Sequence, residues 1–267
     1  MKILRKLLIN YKSKGLFETL KKIIFKFFDI IFLTDYKKKK IKNLFLSKQT
    51  IEEKFNIIYD TNYWSDGQSR SGSGSNLEST KSIKSHLPKI IKDFEIKSIF
   101  DAPCGDLNWM QEILKTIDIN YHGSDIVEDI IIKNRKDFKK NNIEFSKKNI
   151  ITDKLPDCDL MICRDCLFHF SYKDIFSFFE NFTSSSIKYL LITSHLNENR
   201  SFVNTDIETG DYRLIDIFSE PFHFEKKYLY TFDDRDHLEI DNFKQMYLFS
   251  KEQIKKKGSW KLPFLNI

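Results

Sequence analysis

Two acidic residues stand where two buried strands would end, and their spacing suits the binding of a polar small molecule. Asp101 follows the apolar run Ile96–Phe100 and opens the segment Asp101–Asp106, which contains Gly105. A glycine turn between a strand and a helix lets a ligand approach backbone N–H groups closely. Asp125 comes twenty-four residues after Asp101, and a carboxylate there can accept both hydroxyls of a ribose. The pair predicts a nucleoside-binding enzyme.

Groups able to remove a proton from a second substrate follow the fourth and fifth predicted strands. Asp165 follows the buried run Asp159–Cys163, His169 lies four residues further on, and His195 ends the fifth strand. An imidazole can act as a base near neutral pH. The alternatives are that Asp165 pairs with Arg164 or caps a helix, and that the histidines are core or surface residues. We expect His169 or Asp165 to be the general base.

Apolar runs that alternate with helical patterns must position these groups. Five strands are predicted to end near Phe100, Gly123, Phe145, Cys163 and Thr193, with helices at Leu107–Lys115, Val127–Lys139 and Lys173–Phe182. Two more strands, Tyr228–Phe232 and Gln245–Phe249, follow a predicted helix at Asp211–Glu220, and the second of them is expected to be antiparallel. The pattern predicts a Rossmann-like α/β fold, with a seven-stranded, mainly parallel sheet and helices on both faces.

The sequence resembles the class I S-adenosylmethionine-dependent methyltransferases. Asp101–Asp106 matches the first motif of that superfamily, Asp125 the second and Cys163–Asp165 the fourth. Pro103 in the first motif is a variant associated with one bacterial group. The third motif usually has an acid where this sequence has Asn149, whose side-chain oxygen can still accept a hydrogen bond from an adenine amine. The resemblance implies S-adenosylmethionine as the cofactor.

The bacterial group is also marked by two further segments. They correspond here to the Ser/Gly loop Ser69–Ser75 and to Arg164–His169, and the resemblance is dense from about Trp64 to His195. The position of the loop, immediately before the nucleotide-binding unit, favours a lid in which Arg70 pairs with the cofactor carboxylate, and a flexible linker is the alternative. The cofactor-binding residues implied are Arg70, Gly72, Asp101, Pro103, Cys104, Gly105, Asp125, Ile126, Asn149, Ile150 and Arg164.

Proteins resembling this group often accompany surface-polysaccharide assembly. The resemblance therefore implies O-methylation of a sugar or glycan precursor. A methyltransferase acting on another small molecule, or a non-catalytic nucleoside-binding module, are the alternatives. The sequence lacks the G-x-G-x-x-G pattern of nicotinamide dehydrogenases.

The four cysteines are expected to be reduced and free of metal. Cys163, Cys166 and His169 have a spacing that suggests a metal site, but Cys163 ends a buried strand and no second Cys pair completes a zinc site. A secretory signal pattern is also lacking, so we expect a cytoplasmic protein.

Basic residues are concentrated at the start of the chain. Residues 1–48 hold fourteen Lys or Arg and three Asp or Glu, a net charge of +11; because the 267-residue chain carries +6, the remainder carries −5. We predict a basic amphipathic helical arm (1–48), a helical and lid segment (49–95) and a cofactor-binding domain (96–267). The arm is expected to bind an anionic membrane surface or to dock on the core. The acidic remainder argues against nucleic acid as a partner, and the oligomeric state stays open.

Overall fold

The computed structural model describes residues 34–64, 67–234 and 243–256. The chain divides into two compact units, Met1–Leu44 and Phe45–Ile267. Residues 34–46 are helical (α1), whereas the apolar faces predicted for the arm at Leu4–Leu8 and Leu20–Phe28 lie outside the described residues. Within the described ranges, no helix has the length and apolar character needed to cross a membrane.

From Phe45 onward, strands and helices alternate along the chain. The helices are α2 (Ile51–Asp60), α3 (Lys81–Asp93), α4 (Met110–Thr116), α5 (Glu128–Asp137), α6 (Tyr172–Ser184) and α7 (Lys251–Lys255). The strands are β1 (Ser98–Asp101), β2 (Asn120–Asp125), β3 (Ile143–Lys147), β4 (Leu160–Cys163), β5 (Tyr189–His195), β6 (Tyr230–Asp233) and β7 (Lys244–Ser250).

The seven strands form one sheet in the order β3-β2-β1-β4-β5-β7-β6. β7 is antiparallel to both of its neighbours, and the pairs on the other side of β5 are all parallel. This confirms the predicted Rossmann-like, mainly parallel sheet and its antiparallel last strand. The carboxyl ends of β1, β2, β4 and β5 therefore meet at one edge, where ligands bind in open α/β sheets.

Alternation along the strands divides the core into two apolar layers. Leu190 and Ile192 pack in one cluster with Phe178 and Phe179 of α6, while Leu191 packs in the other with residues of α3 and α4. Successive strand residues point to opposite faces, so helices cover both faces of the sheet.

Helix α3 is longer than its sequence suggests. The sequence predicts a helix from Ser79 into Leu87 that stops near Pro88, yet the helix runs through Pro88 to Asp93. Ile83, Leu87 and Ile90 form a fully buried stripe that spans the proline. Burial of this stripe outweighs the loss of one helical hydrogen bond.

The predicted helix at Asp211–Glu220 is wrong. The backbone there bonds to other segments: Arg213 N donates to Phe168 O at 3.2 Å, and His195 N donates to Ile215 O at 2.8 Å. Backbone groups paired with neighbouring segments are unavailable for the internal bonds of a helix.

Candidate active site

Asp101 and Asp125 lie at the ends of adjacent strands, as the motif spacing predicts. Asp101 of β1 is opposite Gly123 of β2, two residues before Asp125. The Asp101 carboxylate is buried and its Oδ2 accepts a 2.7 Å hydrogen bond from the hydroxyl of Tyr121. Burial raises the pKa of Asp101 to about 7, against the opposing effects of the Tyr121 bond and of Arg164.

Asp125 links the end of β2 to the turn that follows β1. Its Oδ2 accepts from the N–H of Gly105 at 3.2 Å, and its Oδ1 accepts from the N–H of Val127 at 3.0 Å. Burial raises the pKa of Asp125 to about 6, although these backbone bonds favour the charged form. Each carboxylate oxygen keeps a lone pair for a further donor, as two ribose hydroxyls require. Gly105 has a φ of +55°, and a Cβ there would overlap Ser71 Oγ.

The Ser/Gly loop Ser69–Ser75 is bound to this turn. Ser69 Oγ donates to both carboxylate oxygens of Asp106 at 3.0 Å, and the N–H of Arg70 donates to Asp106 Oδ2 at 3.0 Å. On the other side, Arg164 Nη1 donates to Gly74 O at 2.8 Å. A plain flexible linker does not account for these bonds. Opening and closing of the loop as a lid stays a prediction.

Arg70 lies at the rim of the site. Its Nε donates to Asn62 Oδ1 at 2.5 Å, and its Cζ lies 4.4 Å from the ring centroid of Tyr59. Tyr59 packs in turn with Val127, two residues past Asp125. Arg70 is thus near the end of β2, and its pairing with a cofactor carboxylate stays a prediction.

The other predicted cofactor residues, apart from Gly72, follow β1, β2 and β3. Cys104 is buried and its N–H donates to Ser124 O at 2.8 Å, while burial raises the pKa of its thiol well above the ordinary value. Asn149 Oδ1 accepts from the N–H of Ile151 at 3.0 Å, and the side chain of Ile150 is buried in the core. Of the remaining three residues, Pro103 and Ile126 are half-buried and Gly72 is buried. An adenine contact at Asn149 would have to use the second lone pair of Oδ1 or the Nδ2 group.

Asp165 is committed to ion pairs at the end of β4. Its Oδ2 lies 2.8 Å from Lys244 Nζ and 3.3 Å from Arg164 Nη1, and Arg164 Nε lies 2.7 Å from Asp234 Oδ2. Burial alone would raise the pKa of Asp165, but Arg164 and Lys244 overcome it and hold this pKa well below the ordinary value. The structure therefore favours the ion-pair alternative over a general base at this position.

His169 lies on a short 3₁₀ turn, Leu167–His169, beside the same network. Its ring stacks on Trp64 with centroids 4.4 Å apart, and its Nδ1 lies 2.8 Å from Asp211 O. Burial lowers the pKa of His169 to about 4, so the ring is neutral at physiological pH. A carbonyl only accepts, so Nδ1 carries the proton and the Nε2 lone pair is left unprotonated. Within the described residues, Nε2 makes no hydrogen bond.

The cysteines belong to the packing of the domain. Cys163 and Cys166 are buried and all four thiols are free. Burial raises the pKa of Cys166 well above its ordinary value, which makes a thiolate ligand unfavourable. In the part of the chain that the structure describes, no group of His, Cys, Asp or Glu is arranged to hold a metal ion.

Several site residues have no signal in the sequence. Lys244 reaches Asp165 because β7 places it opposite His195, and strand pairing of that range is not encoded locally. Trp64 and Tyr59 precede the Ser/Gly loop and are recognisable only through their contacts with His169 and Arg70.

Comparison with known proteins bears on the fold. No family model and no curated protein matches the sequence. PigF with bound SAH (S-adenosylhomocysteine) aligns with a TM-score of 0.54 and 11% identity, over 76% of this chain and 63% of PigF, less than two thirds of its length. Magnesium protoporphyrin IX methyltransferase (ChlM) from Synechocystis PCC 6803 with bound SAH aligns at 0.53 and 12%, over 75% of this chain and 97% of that one. The fold is that of a class I S-adenosylmethionine-dependent methyltransferase. Asp101 and Asp125 lie at the edge where ligands bind in open α/β sheets.

Proposed function

We propose that the protein is an S-adenosylmethionine-dependent methyltransferase that acts on a hydroxyl of a sugar or glycan precursor. The observation that carries the proposal is the hydrogen bond from Gly105 N–H to the Asp125 carboxylate, at the ends of the adjacent strands β1 and β2. The acceptors present fit the cofactor: two buried carboxylates, whose pKa values burial raises, suit the hydroxyl donors of a ribose and an ammonium group. SAH bound to PigF and ChlM, which share the fold, supports the same assignment.

When bound, S-adenosylmethionine supplies a methyl group on a positively charged sulfur. The task of the protein is to align the acceptor oxygen with it and to keep water out. Asp125 holds the nucleoside, and the Ser69–Ser75 loop covers the turn at Gly105.

His169 is the proposed general base. Its Nε2 takes the proton of the acceptor hydroxyl, while the Nδ1–H bond to Asp211 O keeps the ring in the required tautomer. The stack on Trp64 fixes the plane of the ring. In this proposal Asp165 holds the ends of β4 and β7 together through its ion pairs with Arg164 and Lys244, and it takes no proton from the acceptor.

The acceptor class rests on the resemblance of Ser69–Ser75 and Arg164–His169 to the bacterial group that accompanies polysaccharide assembly. Mass spectrometry of the protein as purified should detect S-adenosylmethionine or its product. Assays with nucleotide sugars should then detect methyl transfer. Retained cofactor without transfer to any acceptor would favour the non-catalytic nucleoside-binding module.

Replacing Asp125 with alanine should weaken SAH binding by about 1–3 kcal/mol, because hydrogen bonds to a charged group are lost. Isothermal titration calorimetry measures this directly. Asp137→Ala, which removes an exposed carboxylate at the end of α5, is the matched control and should bind normally. Unchanged affinity in Asp125→Ala would remove this residue from the site.

The affinity for SAH should also depend on pH. Asp125 and Asp101 have pKa values of about 6 and 7, and only the ionised forms accept hydrogen bonds with both oxygens. The affinity for SAH is therefore highest above pH 7, and it decreases as pH falls through 7 and 6. Titrations at pH 5, 6, 7 and 8 should show this slope, and Asp125→Asn should make it shallower. A flat profile in the wild type would contradict the assignment.

We also propose that the basic arm brings the enzyme to the inner face of the membrane. The net charge of +11 over residues 1–48 motivates this, with each basic residue near an anionic surface contributing about 1 kcal/mol at most. Full-length protein should float with anionic vesicles at low salt, leave them as salt rises, and ignore zwitterionic vesicles. Absence of binding at low salt would favour an arm docked on the core.

A further inference from the structure

Arg213 is a buried arginine with most of its donors unused. Its exposure is 7%, and Nη1 makes a long 3.4 Å bond to Leu167 O. Its Cζ lies 5.5 Å from the ring centroid of Tyr172, a contact that uses the face of the guanidinium and none of its N–H groups. Nε and Nη2 are buried, and among the described residues they have no hydrogen-bond partner and Arg213 makes no ion pair. An uncompensated buried charge is costly, so such a group points to a ligand that supplies the missing acceptors.

The unused atoms of Arg213 have the geometry of an oxyanion site. Nε and Nη2 lie on one edge of the guanidinium, the edge that takes two oxygens of a carboxylate or phosphate. Both donors are presented in a fixed plane, so a ligand that reaches them gains two parallel charge-assisted hydrogen bonds.

A second unused donor lies close by. Nδ1 of His195 lies 3.0 Å from the N–H of Ile215 and 3.3 Å from Ile215 O. Ile215 O already accepts from the N–H of His195 at 2.8 Å, so we assign the shorter contact as a bond from Ile215 N–H to Nδ1, which puts the proton of the neutral ring on Nε2. His195 is 2% exposed, and its Nε2 has no partner in the described part of the chain. Ile215 is two residues from Arg213, and the positive charge of Arg213 acts on the imidazole of His195. One guanidinium edge and one imidazole N–H thus offer three donors.

The charge balance of this region favours an anion. Arg164, Lys244 and Arg213 are cationic, whereas the carboxylates of Asp165 and Asp234 are already paired with the first two. Arg213 is left without an ion-pair partner among the described residues, although the negative charge of Asp206 acts on it.

Phe168 and Tyr212 connect Arg213 and His195 to the proposed base, and the charge of Arg213 acts on His169. The Phe168 ring is 4.6 Å from the His169 ring and 5.4 Å from the His195 ring, and Tyr212, next to Arg213, is 5.8 Å from His169. A group bound by Arg213 and His195 would belong to the molecule whose hydroxyl faces His169.

We infer that Arg213 and His195 form a subsite for an oxyanion carried by the methyl acceptor, such as the phosphate of a nucleotide sugar or the carboxylate of a sugar acid. The inference rests on the proposed function for the identity of that acceptor. The binding of an oxyanion at these two residues is tested separately from methyl transfer.

The test uses full-length protein and thermal unfolding, with inorganic phosphate, glucuronate or chloride at equal ionic strength. Phosphate or glucuronate should raise the Tm of the wild type in a saturable way, and chloride should not. The stronger of the two probes identifies the acid group. In Arg213→Met, binding of that probe should weaken by about 10-fold or more, as for loss of charge-assisted bonds. Arg213→Lys, which keeps the charge but not the two-donor edge, should bind with intermediate strength.

Without anion, Arg213→Met should be at least as stable as the wild type, because it removes a buried charge that has no partner. Arg164→Met is the matched control, since that arginine is paired, and it should lose stability. An Arg213→Met variant as unstable as the control, or equal anion effects in Arg213→Met and wild type, would overturn the subsite.

The titrations are repeated with saturating SAH. Anion binding that persists supports a subsite for the acceptor, whereas competition with SAH would assign Arg213 to the cofactor and overturn the inference. Failure of SAH to bind at all would count against the proposed function and leave the anion result intact.

Discussion

His169→Ala should lower the rate of methyl transfer by about 10²–10⁴-fold, the usual contribution of a general base, with little change in SAH affinity. The imidazole is held by Asp211 O at 2.8 Å and by the stack on Trp64, so its Nε2 is fixed for proton transfer. Single-turnover rates with an accepting nucleotide sugar, together with calorimetry, separate the two effects. His223→Ala, at an exposed histidine, is the matched control.

The pH dependence of the rate is a second expected result. The pKa of His169 is about 4, so the ring is in its basic form throughout the range from pH 6 to 9. With saturating cofactor, the rate should stay level over that range and fall only as pH drops through about 4. Normal turnover in His169→Ala, together with an inactive but folded Asp165→Asn, would exchange the two roles.

Arg164→Met should lower the free energy of unfolding by about 3–5 kcal/mol, the usual cost of removing one member of a buried ion pair. Asp234 is fully buried and loses the guanidinium at 2.7 Å, while Asp165 keeps Lys244 as an ion-pair partner. The loop also loses its anchor at Gly74 O. Urea denaturation measures the loss.

The difference in free energy of unfolding between Arg164→Met and the wild type should become smaller as pH falls. Burial already raises the pKa of Asp234, although Arg164 opposes the shift, and removal of that arginine raises this pKa further. When the pKa of a carboxyl is higher in the folded state than in the unfolded state, protonation stabilises the folded state. Lowering the pH therefore restores part of the free energy of unfolding that Arg164→Met loses. Lys92→Met, which removes an exposed cation from α3, is the control and should match the wild type. A deficit below about 1 kcal/mol in Arg164→Met would show that the ion pairs carry little stability.

The sequence alone determined the fold class and the edge where the site lies. Apolar runs with alternating helices predict a parallel sheet, and Asp101 and Asp125 lie on adjacent strands as their spacing requires. These features depend on local periodicity and on the handedness of strand–helix–strand units, both of which are properties of short segments. Helix boundaries were less accurate: α4 begins at Met110 because Leu107 has a φ of +57°.

Tertiary structure decided what the polar residues do. Asp165 follows a strand where a general base is expected, yet Lys244, 79 positions away, pairs with it. Asp211–Glu220 has a helical pattern, but bonds from its backbone to Phe168 and His195 keep it from forming a helix and bring the charge of Arg213 close enough to act on His195. The pKa of a carboxyl and the partner of a guanidinium depend on burial and on charges within a few ångströms. Residues distant in the sequence supply those charges, so only the folded chain fixes them.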